Sequence, residues 1–244
     1  MLSLLSWNIH HGESPSGRMC LEDMADEMRR MATDVILLQE VDVLAERSGR
    51  VDQPHLIATA SLYEHFVFMP NLLRDGSYYG NAIFSHHRIV SSGNIHLPTN
   101  KGSEPRAALR AVIEKDGERY LVVDVHFSTN PEERKPEAEV IVNTLNGAPY
   151  PTIVGGDFNV GLEPSSLGHG YEITGTRDGD EIEIMKTVFH SANPMATYPS
   201  IQPVGRLDRF FVSKDLEFVN VYCVNSGLSD HLPVVATVEK AKNK

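Results

Sequence analysis

Eight side chains of this sequence can do metal, acid–base or phosphate chemistry: Asn8, Glu40, His126, Asp157, Asn159, Asp208, Asp230 and His231. They comprise four carboxylates, two imidazoles and two amides. Carboxylates that share a pocket raise one another's pKa, so four cannot all stay ionised unless a cation compensates. Oxygen-rich ligation suits a hard divalent ion, Mg²⁺ or alternatively Mn²⁺, better than zinc. The sequence holds no His-Glu-x-x-His, no Walker A pattern, no Gly-x-Ser-x-Gly and no Cys/His cluster with zinc spacing. Metal-assisted hydrolysis is therefore the chemistry these residues favour. Taken singly, each has an ordinary explanation. Glu40 reads as a solvated strand end and Asp157, in Gly155-Gly156-Asp157-Phe158-Asn159, as turn chemistry. Asp208 reads as a salt-bridge partner of Arg206 or Arg209, Ser229-Asp230-His231 as a capped turn and His126 as a core histidine. Their joint occurrence carries the functional reading.

What must position them is legible as a series of short elements. Residues 2–9 and 35–39 read as apolar strands bounded by polar turns. Between them Leu21, Met24, Met28 and Met31 recur at three- and four-residue spacing, the apolar stripe of a helix over about 19–32. Further strands are expected at 64–69, 79–85, 106–114, 119–127, 152–156, 206–213, 217–224 and 232–238. Asp116-Gly117 marks a hairpin, Asn130 before Pro131 caps a second helix, and a shorter helix follows Pro54. Asn8 ends its strand, Glu40 follows the next, His126 lies near the end of 119–127, and Asp157 and Asn159 follow 152–156. Asp208 stands near the start of its strand, and Asp230 and His231 precede the last. If those two strands run antiparallel to the others, all these residues meet at one rim. Several links are too brief for parallel crossovers. The expectation is an α/β fold of two mostly antiparallel sheets, a single domain over 1–244, with 160–200 as a variable surface loop.

Charge narrows the partners. Lys+Arg number 22 against 33 Asp+Glu, a net charge of −11. Affinity for long nucleic acid rests on Lys/Arg neutralising phosphates, so this balance is a poor match to a DNA clamp. It still allows a metal-bridged phosphate, because a bound cation reverses the local field. With 244 residues, 41% of them hydrophobic, the chain can bury a core without disulfides, and Cys20 and Cys223 read as free thiols. The first nine residues lack a basic leader and no run of 18 apolar residues occurs. A cytoplasmic monomer without a membrane-spanning segment is expected.

In order, Trp7-Asn8, Leu38-Gln39-Glu40, His126, Gly156-Asp157-Phe158-Asn159, Leu207-Asp208 and Ser229-Asp230-His231 resemble the endonuclease/exonuclease/phosphatase superfamily. That group includes deoxyribonuclease I, exonuclease III, inositol polyphosphate 5-phosphatases and bacterial sphingomyelinases. The match runs from Trp7 to about Val238 and resembles generic bacterial members. It implies a four-layered α/β/β/α sandwich and divalent-metal phosphoester hydrolysis. By resemblance, Glu40 is the principal metal ligand, with Asn8 and Asp230 beside it. Asp157 and Asn159 position the attacking water and the phosphoryl oxygens, and Asn8 helps to hold phosphate. His231 hydrogen-bonds phosphate or water, and Asp208 orients it. Arg106 resembles a phosphate-contacting arginine of deoxyribonuclease I. His126 stands where the exonuclease III branch has tyrosine and the deoxyribonuclease I and sphingomyelinase branches have histidine. A histidine there implies a general acid to the leaving group, unlike a base-excision repair enzyme.

Three functions stay open at this point. The first is a phosphodiesterase or phosphatase for a small or lipid-like phosphoester, and the second a nuclease or DNA end-processing enzyme on the same site. The third is a non-catalytic binding module, weakened because a competent residue occupies every expected position. The acidic residues Glu172, Asp178, Asp180, Glu181 and Glu183, if they lie on a loop near the site, would repel a polyanion and favour the first.

Overall fold

The computed structural model describes residues 1–164, 171–173, 178–192 and 195–242. β1 (Leu2–Asn8) leads through α1 (Leu21–Met31) to β2 (Val35–Val43), and α2 (Gln53–Ser61) follows. Five strands come next: β3 (His65–Arg74), β4 (Ser77–Ser85), β5 (Arg88–His96), β6 (Ala107–Lys115) and β7 (Glu118–His126). α3 (Pro131–Leu145) then leads to β8 (Thr152–Asp157). The remainder runs β9 (Leu162–Pro164), β10 (Tyr171–Ile173), α4 (Asp180–Lys186), β11 (His190–Ala192), β12 (Asp208–Val212), β13 (Leu216–Cys223) and β14 (Val234–Lys240).

One six-stranded sheet has the order β13-β14-β1-β2-β4-β3 and the other β11-β12-β8-β7-β6-β5. Among the described strands only β1–β2 and β7–β8 pair in parallel. Each of those pairs is joined through a helix, α1 or α3, because parallel neighbours need a crossover. β12 runs antiparallel to β8, and β14 to β1, the orientation that brings the polar strand ends to one rim. Burial on both faces explains the near-continuous apolar strands. Leu2, Leu4, Val35 and Leu37 face Leu109, Val122, Ile153 and Phe210 between the sheets. The alternate residues Leu5, Trp7, Ile36 and Leu38 pack outward on Leu21, Met24 and Met28 of α1 and Ile57 of α2. α3 and α4 cover the second sheet through Ala138, Ile141, Ile182 and Met185. Helix, sheet, sheet, helix is the resulting layer order.

Local chemistry sets the punctuation. Asn130 Oδ1 accepts from Glu132 N at 3.1 Å, capping α3. Asp116 and Gly117 both take positive φ, 53° and 78°, as the tight β6–β7 hairpin requires. Three expectations need correction. β2 does not stop at 39 but continues to Val43 across a register shift. β5 was not expected, because its sequence, RIVSSGNIH, is that of a polar, partly exposed edge strand. The described part of 160–200 is not simply loop, since α4 there buries Ile182 and Met185 in the core. Both cysteines are free. No described helix is long and apolar enough to cross a membrane.

Gly155 and Gly156 let β8 lie deep in the sandwich. A Cβ on Gly155 would meet Phe210 Cε1 at 2.4 Å and Leu37 Cδ1 at 2.8 Å. On Gly156, at φ +143°, it would stand 1.9 Å from the Val125 carbonyl oxygen of neighbouring β7. Strain and overpacking together predict that Gly156→Ala loses about 3 kcal/mol or more. The drop in the urea midpoint, at constant m-value, measures it.

Candidate active site

Four of the site residues owe their places to strand ends. Asn8 closes β1, His126 closes β7 and Asp157 closes β8, while Asp208 opens β12. His126 and Asp208 are the register partners of Asp157 on its two neighbouring strands. Glu40 arrives differently, at a break in the β2–β4 pairing between Leu38 and Val41, with φ 60°. A bulge of this kind re-aims a side chain, and it turns Glu40 toward the rim. Asp230 and His231 precede β14 on a turn held by Ser229, whose Oγ donates to Asn8 O at 2.7 Å. Ser200 N donates to Asp230 O at 2.7 Å and Trp7 Nε1 to His231 O at 3.0 Å, bracing the same turn.

The structure brings the two sheets' contributions into contact. Asn8 Nδ2 donates both to Glu40 Oε1 at 2.9 Å and to Asp157 Oδ2 at 3.0 Å. Its Oδ1 accepts from His10 N at 3.0 Å, so the amide spaces the two carboxylates apart. Asp157 Oδ1 accepts from Asn159 N at 2.8 Å. Asn159, at φ 52°, donates its amide to Phe127 O at 2.8 Å, and its own carbonyl accepts from buried Arg134. His231 Nδ1 meets Asp208 Oδ2 at 2.9 Å. The Nε2 atoms of His126 and His231 stand 3.7 Å and 3.8 Å from the same Asp157 Oδ2. Those gaps are too long for direct hydrogen bonds. Two imidazole nitrogens and an amide thus surround one carboxylate oxygen.

Electrostatics separate the two histidines. Burial alone would lower His231, but Asp208 and Asp157 beside it carry it well above histidine's usual range. His126 goes the other way: burial, then the charges of Arg106 and His231, hold it well below that range. Arg106 Nη1 lies 3.1 Å from His126 Nδ1. A guanidinium can only donate, so Nδ1 accepts and the ring proton sits on Nε2. Asp157 is pushed upward by burial against the counter-pull of His231.

Among the described residues, two groups of side chains have the donors to hold a cation. Ligand atoms of Asp157, Asp208 and His231 lie within 4.8 Å of one another, as do those of His10, His11 and Glu40. Asp208 Oδ1 is buried without a hydrogen-bond partner. The sequence reading missed His10 and His11, although the rule that found Asn8 also covers the residues just beyond that strand end. It missed Tyr79 as well, which lines the cleft with Glu40, Arg47 and Arg106 and carries the Arg47 guanidinium 5.1 Å from its ring centroid. Arg106 is buried and engages Glu104 Oε1 at 2.8 Å as well as His126. The acidic residues of the 172–183 stretch have partners of their own. Asp178 binds Arg209 and Lys186, each at 2.7 Å, Glu181 lies 3.3 Å from Arg134 and Asp180 lies 3.6 Å from Lys135. Those charges brace α3 and α4 rather than form an unpaired repulsive loop.

Known proteins share this fold. An endonuclease/exonuclease/phosphatase from Beutenbergia cavernae DSM 12333 superposes with a TM-score of 0.76 at 21% identity, over 98% of this chain and 71% of that one. A mannosyl-6-phosphatase from Bacteroides thetaiotaomicron VPI-5482 gives 0.69 at 17% identity, over 98% and 100% of the two chains. A humanized D. rerio TDP2 gives 0.71 at 17%, over 98% and 99%. At such identities the likeness concerns the fold. No curated protein is near enough in sequence to count as a relative. The sequence profile of the Endonuclease/Exonuclease/phosphatase family, however, matches residues 5–231, from within β1 to the histidine paired with Asp208. On that span this chain belongs to the endonuclease/exonuclease/phosphatase family.

Proposed function

We propose that the chain hydrolyses a small phosphoester, with Asp157 as base and His231 as charged donor. The observation that carries this is the convergence of Asn8, His126 and His231 on Asp157 Oδ2. Asp157 takes the proton of the attacking water, and its raised pKa makes it a stronger base than an exposed carboxylate. Asn159 fixes the other carboxylate oxygen and so the direction of attack. The imidazolium of His231, paired with Asp208, donates from Nε2 to the developing negative charge and then to the leaving oxygen. His126, neutral with its proton on Nε2, donates a hydrogen bond to a phosphoryl oxygen. That differs from the general acid expected of it, because Arg106 and burial hold it unprotonated. Glu40, with Asp230 and the amide of Asn8 alongside, would hold Mg²⁺ or Mn²⁺, which polarises the phosphoryl group when bound.

A small ester fits better than a long polyanion on two grounds. The net charge is −11, and the cleft is lined by Ser103, Ser128, Thr129 and Asn130 together with Glu104, a surface suited to hydroxyl groups. The test is a panel with and without Mg²⁺: p-nitrophenyl phosphate, bis-p-nitrophenyl phosphate, sugar and inositol phosphates, sphingomyelin, plasmid, abasic-site duplex and 5′-phosphotyrosyl DNA. Faster cleavage of plasmid or abasic duplex than of every small ester would replace this reading by a nuclease.

Leaving-group dependence separates the histidines. A p-nitrophenolate departs with little proton help, whereas an alkoxide needs it. His231→Ala is therefore expected to slow an alkyl phosphoester more than the p-nitrophenyl ester, by up to the ~10²–10⁴-fold that general acid catalysis contributes. His126→Ala is expected to slow both alike. The reverse pattern would restore His126 as the acid.

A further inference from the structure

Directly beyond Asn8 the chain turns through His10 and His11, both in the left-handed region at φ 44° and 46°. For non-glycine residues that conformation costs roughly 1–2 kcal/mol each. The turn sets the two rings side by side, centroids 4.4 Å apart and planes inclined by 59°, and gathers a ring nitrogen of each with a Glu40 carboxylate oxygen within 4.8 Å. His11 is only 8% exposed. The Nδ1 atoms of both histidines are buried and have no hydrogen-bond partner. A buried imidazole nitrogen without a partner loses the hydrogen bond that water would give it, and both histidines that carry such an atom also bring a ring nitrogen to the Glu40 carboxylate. On His11, Nε2 lies 3.5 Å from Glu13 Oε2. A carboxylate on the far nitrogen is what orients a metal-bound histidine. The charge of Arg47 reaches His11, but both oxygens of Asp42 take it up at 2.8 Å.

We propose that His10, His11 and Glu40 form a second cation position in the cleft, built for an imidazole-preferring transition-metal ion of the Zn²⁺ type rather than for Mg²⁺. It rests on the reading that Glu40 is a metal ligand, but not on hydrolysis. Two nitrogens and one carboxylate are the donor set of many zinc sites that keep one position open. Around a tetrahedral ion with ~2.05 Å bonds the ligand atoms stand roughly 3.3 Å apart, so the three side chains need only turn inward. Glu40 gives Oε1 to Asn8, and a carboxylate has two oxygens with which to serve both neighbours. The Asp157–Asp208–His231 group has the opposite composition, two carboxylates to one imidazole.

Zn²⁺ alone is the probe, read by competition with a chromophoric chelator on the full chain in millimolar Mg²⁺. Wild-type protein is expected to bind Zn²⁺ that Mg²⁺ does not displace. His10→Gln and His11→Gln should each weaken it by at least the about 10–100-fold that loss of an outer-shell partner costs. Thermal melts confirm that the variants fold. Independently of any variant, Co²⁺ added to the wild type should give the visible bands of nitrogen ligation at low coordination number. Equal Zn²⁺ affinity in wild type and both variants, or a Co²⁺ spectrum of octahedral all-oxygen type, overturns the proposal. Hydrolysis with histidine-independent Zn²⁺ binding would sink this inference alone, and histidine-dependent Zn²⁺ binding without hydrolysis would sink only the proposed function.

Discussion

Removal of divalent cations by EDTA is expected to abolish turnover, and Mg²⁺ or Mn²⁺ to restore it. Lewis-acid stabilisation of a phosphoryl transition state is worth several kcal/mol. At 1.36 kcal/mol per tenfold, about 4 kcal/mol is ~10³ in rate. Glu40→Ala should lose a comparable factor at fixed Mg²⁺ and need a higher concentration for what remains. Its structural effect should be small, because Glu40 is only partly buried and sits at a bulge outside the regular ladder. Asn8 would still donate to Asp157. Mg²⁺ titration of kcat, with a thermal melt beside it, separates lost metal from lost fold. Full activity in EDTA would remove the metal from the reaction.

His231→Ala and Asp157→Ala are expected to reduce kcat by ~10²–10³ each, the usual effect of losing one preorganised transition-state group. The two should not be additive, since the imidazolium and the carboxylate hold each other in their working charge states. Neither change should unfold the protein. Asp157 is a buried carboxylate whose removal relieves desolvation, and Asn8 Nδ2 keeps Glu40 as acceptor. His231→Ala leaves Asp208 buried at 0% exposure without its imidazole, so that variant should lose more stability than Asp157→Ala. Double-mutant cycles in kcat, paired with urea midpoints, test both statements. Near-native turnover in a folded variant would refute the roles assigned.

Much of this site was legible in the chain because strand ends are local facts. Gly155-Gly156-Asp157 and Ser229-Asp230-His231 state their positions within a few residues, and one orientation, β12 and β14 antiparallel to β8 and β1, gathers the rest. What escaped was non-local. The bulge at Glu40 follows from pairing with β4 and leaves no pattern in Leu38-Gln39-Glu40. The contact of His126 Nδ1 with Arg106, 20 residues earlier, had no signal in the chain either. β5 was invisible because an edge strand may be polar on both faces. The acidic residues around 180 resembled an exposed loop, since nothing nearby in sequence announces that Arg134 and Arg209 will neutralise them.

The deep seating of β8 has a consequence for how such a protein can drift or be redesigned. Glu40 and His231 ride on one sheet, Asp157 and His126 on the other, and no covalent tie near the cleft sets the gap between them. Side-chain volume does, above all where Phe210 and Leu37 close over the bare Gly155 backbone. Van der Waals thickness in the middle of the molecule is therefore the ruler against which the reacting groups are placed. Enlarging or shrinking Phe210 or Leu37 would shift Asp208 or Glu40, two and three residues away along the chain, and with them the alignment of the two sheets' site residues.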